Sequence, residues 1–134
     1  MELNFDSTDA SQFLALDWHV SPAKGISAFF HDEGYIGSFG VDHGAVDIRC
    51  NQGTAIHAPA DGVVTSVVYD ETSTKYAYIQ IAHRMGVTTM YGHVSASAVA
   101  VGDYVIRDQV IGYSGGMPGS IGAGARTTGP HLHF

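Results

Sequence analysis

Short β-branched and aromatic runs, each ended by glycine, proline or a polar turn, are the feature of this 134-residue chain that most restricts its fold. The run 63–69 is Val-Val-Thr-Ser-Val-Val-Tyr, and an alternating run over 76–83 follows it after the polar, turn-like stretch 70–75. Two such runs in succession predict antiparallel strands joined as a hairpin. Seventeen glycines and only 14% charged residues also fit a turn-rich β protein better than a helical bundle.

Further extended runs continue this pattern towards the end of the chain. Residues 87–93 form one of them, and we expect Tyr91 and His93 to share a face because side chains alternate along a strand. Residues 101–105 and 109–113 predict two short strands around a turn. The second half of the chain is therefore expected to be almost entirely β structure.

Glycine-rich stretches separate these runs. The run 34–40 predicts extended and turn structure, and 114–130 predicts a long loop of the kind that often binds ligands or forms a lid. The length fits one domain, which we expect over residues 17–134. Residues 1–16 are polar and then briefly apolar, which predicts an arm or short helix packing on that domain.

Composition excludes several functional classes. The formal charge of −7, without a basic cluster, makes nucleic acid an unsuitable partner and gives no attraction to anionic membranes. The polar stretch 2–12 fits neither a signal peptide nor a membrane span. The single Cys50 cannot close an internal disulfide and is expected to be a small core residue. We expect a monomer.

Histidines and a carboxylate recur at spacings that suit a metal. In the segment His131-Leu132-His133-Phe134, strand alternation puts both histidines on one face and lets Leu132 and Phe134 enter a core. His43 and Asp47 are four positions apart, so they lie on one side of a strand or one turn apart in a helix. Together the two segments indicate a zinc site.

Two histidines and one carboxylate leave a coordination position for water, which is the usual form of a catalytic zinc site. Zinc lowers the pKa of its water towards about 7 and polarises a carbonyl oxygen, so amide hydrolysis is the natural chemistry. A nearby general base or acid is then required, and His93 and His131 are the remaining candidates.

Each histidine taken singly has an ordinary structural explanation. A lone histidine is more often a surface or hydrogen-bonded residue than a ligand, and this interpretation is kept for His19, His31, His57 and His83. Asp47 could equally cap a turn, and Tyr91 could be a half-buried strand aromatic. The joint occurrence of the motifs is what favours a metal site.

The sequence resembles the lysostaphin-type zinc endopeptidases, which cut peptide cross-links in bacterial peptidoglycan. The resemblance covers roughly residues 38–134. It rests on five segments in the right order: His43-x-x-x-Asp47, Gly53-Thr54-Ala55-Ile56-His57-Ala58-Pro59-Ala60-Asp61-Gly62-Val63-Val64, Tyr91-Gly92-His93, the pair 101–105 and 109–112, and Gly129-Pro130-His131-Leu132-His133-Phe134.

The resemblance implies the role of each site residue. The metal ligands would be His43, Asp47 and His133, and the residues that handle the proton of the attacking water would be His93 and His131, with base and acid unassigned. Tyr35 would steady the tetrahedral oxyanion, as such a tyrosine does in some members.

The resemblance also implies a fold and a location. The fold would be mainly β, an antiparallel β-sheet barrel-sandwich of the duplicated hybrid motif type, with a groove walled by loops 34–40, 70–75 and 114–130. Residues 17–134 would then be a metallopeptidase domain of the bacterial cell envelope or a secreted protein. Its substrate would be the peptides of peptidoglycan.

Two expectations qualify this assignment. Relatives usually continue beyond the residue that corresponds to Phe134, so we expect a domain clipped at its C-terminus, with weaker metal affinity. The alternative function is a non-catalytic regulator of wall hydrolases with the same fold, although the five filled site positions disfavour it.

Overall fold

Antiparallel sheet dominates the computed structural model, which describes residues 14, 16–17, 20 and 24–134. The larger sheet contains, in spatial order, β1 (Ile26–Ala28), β2 (Asp47–Arg49), β10 (His131–His133), β6 (Thr88–Gly92), β5 (Tyr78–Ala82), β4 (Gly62–Val68) and β8 (Tyr104–Val105). The smaller sheet contains β3 (Ala55–His57), β9 (Val110–Ser114) and β7 (Val94–Ser97). The predicted mainly β, antiparallel sandwich is confirmed, with edge strands on both sheets of the described chain.

The predicted hairpin is the centre of the larger sheet. Strands β4 and β5 pair antiparallel from Val63 opposite Ala82 to Val68 opposite Tyr78. The two short strands predicted around a turn also form, but β8 pairs with β4 whereas β9 joins the smaller sheet. The turn between them therefore connects the two sheets.

One hydrophobic core is shared by both sheets. It contains Ile79 and Ile81 of β5 together with Ile56 of β3 and Ile111 of β9, all fully buried. Burial of each such side chain contributes about 1.5–3 kcal/mol. This core holds the backbone of the larger sheet in place from one side and leaves its other face for polar residues.

The segment 34–40 was predicted to be extended and turn structure, and this prediction is wrong: α1 spans Glu33–Phe39. The carboxylate of Asp32 caps the helix by accepting a hydrogen bond from the amide of Tyr35. Gly40 ends it in the left-handed conformation, with φ at 70°. Capping at both ends and the packing of Tyr35 on Phe39, with ring centroids 4.7 Å apart, outweigh the low helix propensity of the internal glycines.

The long loop predicted over 114–130 is present over 115–130, since Ser114 is the last residue of β9, and it is hydrogen-bonded to its surroundings. Backbone hydrogen bonds join Gly122 to Ser73 and Ala77, and Gly124 to Thr74. Such bonds fix the loop against the segment that leads into β5. The predicted arm or helix over 1–16 lies outside the described residues, except for Leu14 and Leu16.

No helix within the described ranges is long and apolar enough to cross a bilayer.

Candidate metal centre

Neighbouring strands bring Asp47 and His133 face to face. Strand β10 pairs with β2 so that His133 lies opposite Asp47 and Leu132 lies opposite Ile48. The Nδ1 atom of His133 donates a hydrogen bond to Oδ1 of Asp47 at 2.8 Å. Leu132 and Ile48 are buried in the core on the other face. The predicted alternation along 131–134 is therefore confirmed.

His43 reaches the same carboxylate from the loop between α1 and β2. Residues 43–46 form neither a strand nor a helix, and Asp47 begins β2, so neither predicted geometry for the pair is found. Its side chain is 1% exposed, and its Nδ1 donates to the carbonyl of Phe29 at 2.8 Å. This bond fixes the proton on Nδ1 and leaves a lone pair on Nε2. That Nε2 lies 3.2 Å from Oδ1 of Asp47 and has no hydrogen-bond partner among the described residues.

His93 enters the site because the strand alternation breaks there. The prediction that Tyr91 and His93 share a face is wrong: Tyr91 packs in the core, 5.5 Å from the ring of Phe134, whereas the ring of His93 lies 4.5 Å from that of His131. His93 has a φ of 59°, a left-handed conformation that turns its side chain to the opposite side of the sheet.

Both remaining histidines use Nδ1 for a hydrogen bond to a backbone carbonyl of the loop 115–130. His93 donates from Nδ1 to the carbonyl of Ala123 at 2.6 Å, and His131 donates from Nδ1 to the carbonyl of Gly129 at 2.8 Å. The Nε2 of His131 lies 3.5 Å from Oδ2 of Asp47. Each ring is thereby held in the tautomer whose Nε2 can accept a proton.

The surroundings of the site lower the pKa of both Asp47 and His93, which favours the charged form of the acid and the neutral form of the base. Burial acts to raise the pKa of Asp47, but the hydrogen bond from His133 and the charges of His131, His133 and His43 lower it overall. Burial first, and then the charge of His131, lower the pKa of His93 to about 4. Asp47 is therefore ionised and His93 neutral near pH 7.

The donor set fits a divalent cation. Ligand atoms of His43, Asp47 and His133 all lie within 4.8 Å of one another, as do those of His93, His131 and His133. In the first group the lone pair of His43 Nε2 faces a carboxylate oxygen, so two acceptors oppose each other in a buried place. Two buried acceptors without a donor between them cost folding free energy, and a cation bound between them would interact favourably with both.

Two clefts meet at this centre. The helix-side cleft, of about 250 Å³, is lined by α1 and by residues 126–128 together with Asp47 and His131. The tyrosine-side cleft, of about 500 Å³, is lined by Tyr76, His43, His93 and His133 among others. Segments 34–40 and 114–130 form walls as predicted, but no residue of 70–75 lines either cleft.

Sequence reasoning missed two cleft residues, Tyr76 and Arg126, and gave Tyr35 only through the family resemblance. Tyr76 lies over Gly92, where an added Cβ would overlap its phenol, and its ring centroid is 5.1 Å from that of His93. The ring of Tyr35 lies 4.2 Å from that of His43. A glycine directly before a site histidine is the one signal in the sequence that a neighbouring ring needs space there.

Three of the four other histidines follow the ordinary interpretation given to them. His31 pairs with Asp42 at the surface, and His57 donates to the carbonyl of Asp108. His83 is buried with both ring nitrogens hydrogen-bonded. His19 lies outside the described residues. Cys50 is a free, buried core residue, as predicted.

Comparison with known proteins gives consistent matches. Residues 41–134 match the family model described as peptidase family M23. A DD-carboxypeptidase/endopeptidase Mpg of Neisseria meningitidis is 38% identical over 95 residues, which cover 69% of this chain and 19% of that protein. The glycyl-glycine endopeptidase ALE-1 of Staphylococcus capitis is 35% identical over 103 residues, which cover 74% of this chain and 25% of that protein.

A solved structure of a zinc-containing peptidase from Vibrio cholerae superimposes with a TM-score of 0.71 and 26% identity, over 91% of this chain and 36% of that one. The first curated relatives are much longer proteins, because the chain spans only 19% of their length.

Proposed function

The chain belongs to peptidase family M23, and from that premise we propose that it is a zinc-dependent endopeptidase that hydrolyses peptide cross-links of bacterial peptidoglycan. One observation carries the proposal. His43, Asp47 and His133 converge where two further imidazoles present free Nε2 atoms, at the junction of two clefts. A peptide lying along the clefts would pass directly over these groups.

The metal would be held by His43, Asp47 and His133. Two imidazole nitrogens and one carboxylate oxygen are a donor set that zinc prefers, with one position left for water or substrate. The buried lone pair on His43 Nε2 supports this choice over the second group of three histidines. When bound, zinc supplies Lewis-acid polarisation of the substrate carbonyl and a lowered water pKa.

The proton of the attacking water would pass to Nε2 of His131. A protonated His131 would be stabilised by the carboxylate of Asp47, which lies 3.5 Å away. A protonated His93 is disfavoured, since burial and the charge of His131 lower its pKa to about 4. His93 would therefore orient the water by accepting a hydrogen bond, while His131 would later return the proton to the leaving amine.

Two phenols could donate to the developing oxyanion. Burial first, and the charge of Asp47 next, raise the pKa of Tyr35, and they raise the pKa of Tyr76 to about 12. Both hydroxyls are therefore protonated at neutral pH and remain donors. Tyr35 lines both clefts, and Tyr76 lines the tyrosine-side cleft.

The site of action would be the cell envelope or the outside of a bacterial cell, and the chain would act as a monomer. The complete set of five site residues gives no support to the alternative of a non-catalytic regulator, whose site need not keep its ligands.

Digestion of purified peptidoglycan tests the proposal. Sacculi with glycine bridges and sacculi with direct cross-links are incubated with the zinc-loaded chain, and new amino termini are identified by mass spectrometry. We expect new termini at a cross-link peptide bond of at least one type, and none with a His131→Gln variant. Absence of new termini from every sacculus, with zinc bound, would contradict the proposal.

A further inference from the structure

A single cationic side chain stands at the junction of the two clefts. Arg126 lines both of them, and no other lysine or arginine lines either cleft in the described part of the chain. The chain has only six lysines and arginines against thirteen aspartates and glutamates. A cation at this position is therefore exceptional in a strongly acidic protein.

The carboxylates that line the clefts are already engaged by other groups. Asp32 accepts hydrogen bonds from the amides of Phe29 and Tyr35, which hold its carboxylate at the start of α1. Asp42 pairs with His31, and Asp47 is surrounded by the site histidines. None of the three forms an ion pair with Arg126.

Arg126 itself has no hydrogen bond or ion pair with any residue between positions 24 and 134. Two other basic side chains have partners within the chain: Lys24 bonds to Asn51 at 2.5 Å and Arg107 pairs with Asp17 at 2.7 Å. The guanidinium of Arg126 is close enough to Tyr35 for its charge to act on that phenol. Within the described residues it is thus a cation without an ion-pair partner beside the candidate metal centre.

We propose that Arg126 forms a carboxylate-binding subsite, which selects peptides that carry a free carboxylate close to the scissile bond. The planar guanidinium fork matches a carboxylate through two parallel hydrogen bonds. A net charge of −7 otherwise repels anionic ligands, so a local cation decides whether such a peptide can bind. This inference rests on the proposed function, because the ligand is the peptide substrate itself.

The carboxylate could belong to a side chain of the peptide or to its C-terminus, and matched substrates separate the two. Two synthetic cross-linked peptides are made, one with a side-chain carboxylate and one with a C-terminal carboxylate next to the cleaved bond. Each has a partner in which that carboxylate is a carboxamide. We expect kcat/KM to favour the carboxylate in one pair by about tenfold.

Variants assign that preference to Arg126. We expect the ratio to fall to about one in Arg126→Gln and to take an intermediate value in Arg126→Lys, which keeps the charge but loses the fork. Arg84→Gln removes the same charge from a residue that lines neither cleft and should keep the full ratio. A ratio near one in the wild type for both pairs, or a full ratio in Arg126→Gln, would overturn the inference.

A binding measurement separates this inference from the proposed function. The same peptides are titrated into the zinc-loaded His131→Gln variant by calorimetry, with His131→Gln/Arg126→Gln as the comparison. We expect about tenfold tighter binding of the carboxylate peptide to the first and no difference in the second. Selective binding without cleavage by the wild type would defeat the proposed function alone, whereas cleavage without selective binding would defeat the subsite alone.

Discussion

Two groups of buried histidines lie in the described part of this protein, and they differ in what their Nε2 atoms contact. In the His83 network, Nδ1 donates to the carbonyl of Asp61 at 2.8 Å and Nε2 meets Oγ1 of Thr89 at 2.7 Å, which in turn bonds the hydroxyl of Tyr91. In the metal centre, His43 also donates from Nδ1 to a carbonyl, but its Nε2 has no partner in the described chain.

The difference separates a structural histidine from one that can hold a ligand. Burial alone does not distinguish the two kinds of histidine, since His83 is 7% exposed and His131 is 8% exposed. An imidazole with both ring nitrogens hydrogen-bonded contributes to folding stability and has no nitrogen left for a ligand. A buried imidazole nitrogen without a partner lowers folding stability unless a ligand binds to it. We therefore expect substitutions in the two groups to affect different measurements.

The largest expected effect is on activity and tests the division of roles inside the metal centre. His131→Gln should lower kcat/KM by about 10²–10⁴, because it removes the group proposed to carry the proton. His93→Gln should lower it by about tenfold, the equivalent of one hydrogen bond to water. Both variants should still bind one zinc ion, measured by equilibrium dialysis. Equal losses in the two variants would contradict the assignment.

The next effect is on stability and belongs to the His83 network. His83→Ala removes the hydrogen-bond partner of the Asp61 carbonyl and one of the two partners of the Thr89 hydroxyl, which should lower the free energy of unfolding by about 3 kcal/mol. Denaturant unfolding measures this loss, while kcat/KM of the folded fraction stays unchanged. His57→Ala, which loses one bond near the surface, is the control and should cost less than about 1 kcal/mol.

The smallest effect is a pH dependence in the same network. Burial raises the pKa of Tyr91 above its usual value of 10, so the phenol ionises more easily in the unfolded chain. Its contribution to stability is complete below about pH 10 and is lost above it, at up to about 1.4 kcal/mol per pH unit.

Tyr91→Phe removes this contribution to the fall in unfolding free energy at alkaline pH. Unfolding free energies measured from pH 8 to 11 should therefore fall less steeply in the variant than in the wild type. Parallel curves would show that Tyr91 is not the buried group that titrates.

The sequence could predict the strand pattern, and which side chains come together at the candidate metal centre, for reasons visible in particular positions. Alternation in 131–134 places Leu132 in the core and both flanking histidines outside it, and this depends only on strand geometry. The hairpin of β4 and β5 follows from local propensity in the same way.

What the sequence could not predict depends on single backbone conformations and on distant contacts. The left-handed φ of His93 reverses its face, and α1 forms because of caps at Asp32 and Gly40 that outweigh its glycines. Tyr76 and Arg126 reach the clefts from segments far apart in the chain, so no local pattern marks them.

Zinc binding by two variants tests the central contrast most directly. Metal content after dialysis against zinc is measured by plasma emission for the wild type, Asp47→Asn and His83→Gln. We predict one equivalent in the wild type and in His83→Gln, and none in Asp47→Asn, because only the latter loses a proposed ligand. An Asp47→Asn variant that keeps one tightly bound zinc ion would contradict it.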